Sequence, residues 1–382
     1  MSWRISRDGA EYASGFVGAL DIAPHESRTI KLDYKLPASD CAKYFLDVRF
    51  TQRYDTLWEK AGYEVAFEQL ALPVKFVPAV RCDNGMDSLC TVCDGQLVEI
   101  EGENFSYIFD RTQGSFVSIS MNGREFLAAA PKISIWRAPI DNDRQDIEKM
   151  RAIWMDRSFT KVYGCEVEAG ERETRITVKA AHGGKVHQPL LRCTIVYTVG
   201  ADGGIDVKVN ADVREDIPAL PRFGLEFAIS GCDTLDYFAR GPHENYIDLV
   251  NAARFDRYHT TVDAQYVPYI FPQDCGNHTG ADWVAVSDMM GRGIIFKGDG
   301  FDFSALHYTA EDLDRAKYTT ELVRRDEAIV HIDCRQNGVG SHSCGPVLIE
   351  KYALNDKHID FAFSLRPVFT ENAPLETEGR TR

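Results

Sequence analysis

CTIVYTVGADGGIDVKVNADV, residues 193–213, is the stretch from which the fold class follows. Apolar side chains take every second position on both sides of Asp202-Gly203-Gly204: Cys193, Ile195, Tyr197 and Val199 before it, Ile205, Val207, Val209, Ala211 and Val213 after it. A period of two belongs to a strand with one buried face, and the glycines supply the positive φ that a tight reversal needs, so strand, turn, strand is expected. The pattern repeats outward. FVSISMNGREFL (116–127) turns at Asn122-Gly123, and VAVSDMMGRGIIFKG (284–298) turns at Gly291-Arg292-Gly293. Helical spacing is confined to DIEKMRAIWMDRSF (146–159), through Ile147, Met150, Ile153 and Trp154, and to TAEDLDRAK (309–317), where Thr309 and Asp312 stand at capping-box spacing. The chain is expected to be all-β.

At about 150 residues per domain, 382 residues make two or three domains. Apolar residues at 44% and charged residues at 26% are those of a soluble globular chain, which excludes disordered and collagenous classes. With 43 Lys and Arg against 58 Asp and Glu the net charge is −15, which repels a phosphate backbone, so nucleic acid is not an expected partner. No apolar run reaches the 18 or so residues of a membrane helix, and the first residues, MSWRISRDGAEY, lack a signal peptide's apolar centre. No membrane partner and a cytoplasmic location are expected. Most of the ten cysteines lie in strand-like runs, as small buried thiols of a reducing compartment do. Cys90-x-x-Cys93, with Cys82 nearby, has half the spacing of a zinc site, but no second ligand pair follows; free linker thiols and no metal are expected.

Between Pro73 and Gly95 no period is sustained, which marks residues 76–95 as a linker. Residues 1–75 contain strand-like runs, TIKLDYKL (29–36) and YFLDVRFTQ (44–52), that make part of a sandwich. The first strand starts at residue 3 with nothing to pair before it, so the chain is expected to begin inside a domain. Residues 96–368 read as one broad, double-layered β-domain, and 369–382 as a polar, disordered tail.

No nucleophile elbow, zinc-protease helix, phosphate loop or dinucleotide fingerprint occurs. Four polar strings stand out instead. ISIWRAPIDNDRQ (133–145) sets Arg137 before Asp141, Asn142 and Asp143; it can bind carboxylate or hydroxyl groups, or form an Asx turn capping the next helix. YFARGPHENYIDLVNAARFDRY (237–258) crowds Arg240, His243, Glu244, Asn245, Tyr246 and Asp248, a candidate for proton transfer or a hydrogen-bonded buttress. YVPYIFPQDCGNHTGADWVAV (266–286) brings Asn277 and His278 among Tyr266, Tyr269, Phe271 and Trp283, as sugar-stacking surface or as core. VHIDCRQNGVGSHSCGP (330–346) runs a strand into a loop tipped by His342, Ser343 and Cys344, a close backbone approach or a bulge.

In this order the four strings resemble the C-terminal part of bacterial β-galactosidases of glycoside hydrolase family two. RAPIDND, GPHENYIDLVNAARFDRY, YVPYIFPQDCGNHTG and the Gly338-Val339-Gly340 loop carry the likeness, and WEKAGYEVAFEQLALP (58–73) extends it. The resemblance implies a partial immunoglobulin-like β-sandwich over 1–75, followed by a large antiparallel supersandwich related to galactose mutarotases. It implies that both catalytic glutamates, with the Mg and Na of the complete enzyme, lie in a barrel outside this chain, so that no catalytic residue and no cofactor belong to it. What remains is an auxiliary role beside a catalytic N-terminal part or large subunit acting on galactosides, in a homo-oligomer, with His342, Ser343 and Cys344 in the loop that walls the substrate pocket. The family's pocket-lining Trp is absent from SHSCGP. The alternative is an autonomous carbohydrate-binding protein or aldose 1-epimerase using His243 with Glu244, or His278.

Overall fold

The computed structural model describes residues 1–77, 88–371 and 375–380. These divide into two compact units, one within Met1–Cys82 with Arg254–Arg257 and Arg380–Arg382, the other within Asp83–Ala253 and Tyr258–Gly379.

In the first unit an antiparallel sheet runs Ala10–Phe16, Ser2–Arg7, Tyr44–Thr51, Glu64–Ala71. Its core is small, with Ile5, Ala42, Tyr44 and Leu46 buried. The Arg7 guanidinium grips both oxygens of Asp40 (2.7 and 2.9 Å) while the Tyr44 hydroxyl donates to the same carboxylate (2.6 Å). The Arg7 bonds, then the Tyr44 bond, hold that carboxyl well below the usual range. YFLDVRFT is a strand as its alternation requires, but Thr29–Leu36, also expected as one, is not a strand and joins no sheet.

The second unit layers two sheets on one core. The smaller runs Arg124–Glu125, Ser115–Met121, Phe105–Asp110, Leu97–Glu101, Cys90–Asp94. The larger runs Leu127–Ser134, Arg222–Ile229, Ala328–Gln336, Arg292–Leu306, His358–Phe369, Ile205–Val213, Leu191–Gly200, Glu173–Gly183, Phe159–Ala169, and Asn277–Ser287 with Thr234–Gly241 extends it from Arg292–Leu306. Val98, Tyr107 and Phe116 of the one sheet share a buried cluster with Tyr197, Val207 and Phe363 of the other. All-β is therefore the fold class.

The 193–213 stretch folds as its alternation dictates. Val199 stands opposite Ile205, Gly203 turns at φ 78°, and Ile205, Val207, Val209, Ala211 and Val213 are buried while Asp206, Lys208, Asn210 and Asp212 face outward. A slip of one residue would exchange the two sets, and each branched aliphatic side chain contributes about 1.5–3 kcal/mol when buried, so the register is held firmly. At the other hairpin Asn122 and Gly123 take φ 52° and 74°, as a two-residue turn demands.

Three further expectations need correction. The linker does not extend to residue 95: Cys90–Asp94 is a strand paired to Leu97–Glu101, with both thiols free and exposed, whereas Cys82 lies outside the described residues. The tail is not wholly irregular, because Leu375–Arg380 is helical and Leu375 is buried. The helix expected from Asp146 covers only Ile147–Ala152, ending before Trp154, whose φ of 59° is left-handed. The second helix, Ala310–Arg315, is capped as read: Asp312 N–H donates to Thr309 Oγ1 (3.1 Å) and Thr309 N–H to Asp312 Oδ2 (2.9 Å). No helix among the described residues is long and apolar enough to cross a membrane.

Candidate functional site

Strand Ala328–Gln336 ends by feeding the loop that contains Gly338-Val339-Gly340 and His342-Ser343-Cys344. Three side chains from distant strings hold this loop by its backbone. Arg137, 1% exposed, donates from Nη1 to the Asn337 carbonyl (2.7 Å) and clasps Asp143 through Nη2 (2.9 Å) and Nε (3.3 Å). Asn142 donates its side-chain amide to the Val339 carbonyl. Asp248 accepts from the N–H of Val339 (3.0 Å) and of Gly340 (2.7 Å). A Cβ on Gly338 would stand 2.8 Å from both Asp248 Oδ2 and Leu348 Cδ1, which is why a glycine precedes the grip.

Beyond the glycines Ser341, His342 and Ser343 are half-buried and Cys344 is exposed. The His342 carbonyl accepts from the Gln145 amide (2.9 Å), and its ring lies 3.2 Å from Asp146 Oδ2, with a left-handed φ of 91°. Ser343 donates to Cys344 Sγ (3.9 Å), and the Cys344 thiol is exposed. Asp141 pairs with Arg144 at the surface, away from the loop.

The second and third strings meet beneath it. Asn277 donates to the Asn245 carbonyl (2.8 Å) and accepts from Gln336 Nε2 (2.9 Å), while Asn245 Oδ1 accepts from the Thr279 N–H (3.0 Å) and hydroxyl (2.6 Å). His278, wholly buried, donates from Nδ1 to the Arg240 carbonyl (2.9 Å) and has Gln265 Oε1 2.6 Å from Nε2; burial pushes its pKa down to about 4. Tyr246 donates to Asp274 Oδ2 (2.8 Å). Arg137, Asn245, Tyr246, Asn277 and His278 are thus buried supports under the loop and offer no surface to a ligand.

Sequence reasoning passed over the charged centre of this support. Arg222 reaches Asp333 with Nε (3.0 Å) and Nη2 (2.5 Å) and lies 3.6 Å from Asp274, all three buried. Burial pushes Asp333 up to about 6 against the pull of Arg222, and Asp302, bonded by the N–H of Gln336 (3.2 Å) and Gly280 (3.3 Å), up to about 7. The available signal was a charge inside an apolar run, as Asp333 is in AIVHIDC. Buried charges persist only when paired.

His243 and Glu244 do not form an acid–base pair. One Glu244 oxygen accepts from the Gly276 N–H (2.8 Å) and the other from the Tyr269 hydroxyl, while the His243 side chain is exposed. Asp233, Asp263 and His307 form the one metal-like group among the described residues, and Arg324 already occupies it, donating to Asp263 Oδ1 (2.8 Å) with Nη2 2.9 Å from His307 Nε2. The arrangement can shape a surface and present the Ser343 hydroxyl and the Cys344 thiol.

The profile of the family described as "Beta galactosidase small chain" matches residues 101–365, and that described as "Beta-galactosidase, domain 4" matches residues 1–73. A β-galactosidase of Priestia megaterium is 30% identical over 345 residues, which is 88% of this chain and 33% of the relative. One from Actinobacillus pleuropneumoniae is 29% identical over 346 residues, 90% of this chain and 34% of the relative. The chain therefore spans about a third of the length of the curated relatives it matches. Among solved structures, a putative aldose 1-epimerase from Escherichia coli K12 aligns over 74% of this chain and 99% of its own, at 8% identity and a TM-score of 0.36.

Proposed function

This chain belongs to the β-galactosidase small-chain family, and from that premise we propose that it is the non-catalytic C-terminal part of a β-galactosidase, whose complete form cleaves terminal β-D-galactosides. Glycoside hydrolysis with retention needs two carboxyl groups about 5 Å apart, flanking the scissile bond. The resemblance to the family assigns the catalytic pair and any Mg or Na to the portion of the enzyme outside this chain, and in keeping with that assignment the carboxylates of the candidate site are engaged by backbone N–H, Arg and Tyr groups. The contribution of this chain is the loop at Ser341–Cys344, which closes one side of the pocket. Assembly with the catalytic part, self-association and a cytoplasmic location complete the reading; the free thiols favour the last.

The observation that carries it is the convergence of Arg137, Asn142 and Asp248 on the backbone of Asn337–Gly340, a heavy investment in the position of a loop with no chemistry of its own. The epimerase alternative loses its acid–base pair to the Gly276 and Tyr269 bonds of Glu244. The test is reconstitution with the catalytic part, comparing the native chain with one in which Ser341–Cys344 is replaced by Gly-Ser-Gly-Gly. The proposal expects normal association with a raised KM for galactoside; an unchanged KM would remove the loop from the pocket.

A further inference from the structure

His307 follows strand Arg292–Leu306, and its side chain is 1% exposed. Its Nδ1 donates to the Glu327 carbonyl (2.9 Å), which fixes the ring and aims Nε2 at carboxylates from two other segments, Asp233 Oδ1 at 3.1 Å and Asp263 Oδ1 at 3.9 Å. Backbone bonds lock these segments together: the Val262 N–H donates to the Asp233 carbonyl (2.7 Å) and the Arg325 N–H to the His307 carbonyl (3.0 Å). An imidazole with one nitrogen tied to a backbone carbonyl and the other facing carboxylates is oriented as metal-binding histidines are.

Arg324 reveals the state of the ring. Its Nη2 lies 2.9 Å from Nε2, and a guanidinium can only donate, so Nε2 carries a lone pair and the imidazole is neutral. The 3.1 Å approach of Asp233 Oδ1 then sets acceptor against acceptor, a contact that a cation between the two atoms relieves. Arg324 does so only in part. Its Nη2 stands 3.6 Å from Asp233 Oδ1, its Nε is taken by Asp263 Oδ1 (2.8 Å), and its single charge faces two carboxylates. The Arg324 side chain is 42% exposed and belongs to 322–325, a stretch outside any helix or strand, so it can move into solvent without breaking a sheet.

We propose that Asp233, Asp263 and His307 bind a divalent transition-metal ion of the zinc class, Arg324 swinging aside to admit it. Ligand bonds of about 2.0–2.2 Å set neighbouring donor atoms roughly 3–4 Å apart. That spacing is already present, with the three donor atoms within 4.8 Å of one another. One imidazole and two carboxylates suit zinc or cobalt better than calcium or magnesium, which prefer oxygen alone. Two positive charges balance the two carboxylates, and three protein ligands leave a fourth position for water. The ion ties the approach to strand Thr234–Gly241, the turn at Asp263–Gln265 and the end of Arg292–Leu306 to one another. The site shares no residue with the loop at Ser341–Cys344 and does not rest on the functional reading above.

Cobalt(II) and zinc(II) are the probes, added to the untagged full chain after alkylation of its exposed thiols, Cys90, Cys93 and Cys344, which bind either ion themselves. The expected result is one cobalt per chain with visible ligand-field absorption, bleached by zinc, and a melting temperature that zinc raises. Asp263→Asn, at an exposed position that folding tolerates, should weaken cobalt binding about tenfold or more. Arg324→Ala, which removes the competing cation, should strengthen it several-fold. No binding by the parent, or binding confined to Arg324→Ala, would make the guanidinium the permanent occupant and overturn the proposal. Binding whose affinity neither substitution changes would place the ion elsewhere and overturn it equally.

Discussion

Asp248 and Gly340, 92 residues apart in sequence, are joined by a 2.7 Å hydrogen bond from the Gly340 N–H to the Asp248 carboxylate, and that carboxylate takes the Val339 N–H as well, at 3.0 Å. A carboxylate accepting two adjacent N–H groups sets the direction in which the next residues leave the strand. Each bond to a charged group is worth about 1.5–3 kcal/mol. Asp248→Ala should therefore lower unfolding free energy by a few kcal/mol at most and release the loop. Urea denaturation reads the first effect and amide exchange at 338–344 the second. Unchanged exchange there would mean that Arg137 and Asn142 suffice.

Gly338→Ala tests the same grip from the other side. The added methyl would meet Asp248 Oδ2 and Leu348 Cδ1 at 2.8 Å. Overpacking of this kind costs about 1–3 kcal/mol. The melting temperature should fall, and Gly345→Ala, whose Cβ meets nothing within 4 Å, should leave it in place.

Two buried histidines make the fold sensitive to acid. Burial lowers His278 and His182 from 6.5 to about 4 each. A folded pKa below the unfolded one gives stability that is fully present above about pH 6.5 and lost as pH falls through 4. At about 1.4 kcal/mol per unit, each group contributes on the order of 3 kcal/mol to that loss. His182, held between Ser158 Oγ (2.8 Å) and Thr160 Oγ1 (3.0 Å), is the cleaner test. His182→Gln should flatten the fall in melting temperature between pH 7 and 5, whatever its constant offset.

Asp302 acts with the opposite sign. Burial raises its pKa from 3.8 to about 7, so its contribution is full below about pH 3.8 and is lost as pH rises through 7. Asp302→Asn removes this titration. The melting temperature of the variant minus that of the parent should grow between pH 5 and 8, and a flat difference would mean that the carboxyl does not titrate in that window.

The sequence disclosed most where one face of an element is buried. The alternation of 193–213 could be satisfied by one register only, and the Thr309 cap is a local bond between residues three apart. The same alternation in Thr29–Leu36 suggested a strand that does not form, because a pattern of side chains cannot say whether a backbone partner is present. The four polar strings, far apart in sequence, are brought together around the loop that follows Ala328–Gln336. Their density alone did not separate Asp248, which orders the loop, from Glu244, spent on Gly276 and Tyr269, because that division depends on contacts 25 to 92 residues away. Arg222 and Asp333 escaped notice as a pair because the apolar run around Asp333 marks a buried charge without naming its partner. Only the sheet register, with Arg222 opposite Gln336 and Gly224 opposite Asp333, brings them together.

Hydrolysis of o-nitrophenyl β-D-galactoside, followed for the purified chain by itself and then with the catalytic part added, addresses the central claim most directly. No turnover in the first cuvette and release of o-nitrophenol in the second is the outcome expected of a pocket wall without a carboxyl pair. Sustained turnover by the purified chain alone, abolished by substitution of its own Glu244 or Asp302, would contradict it.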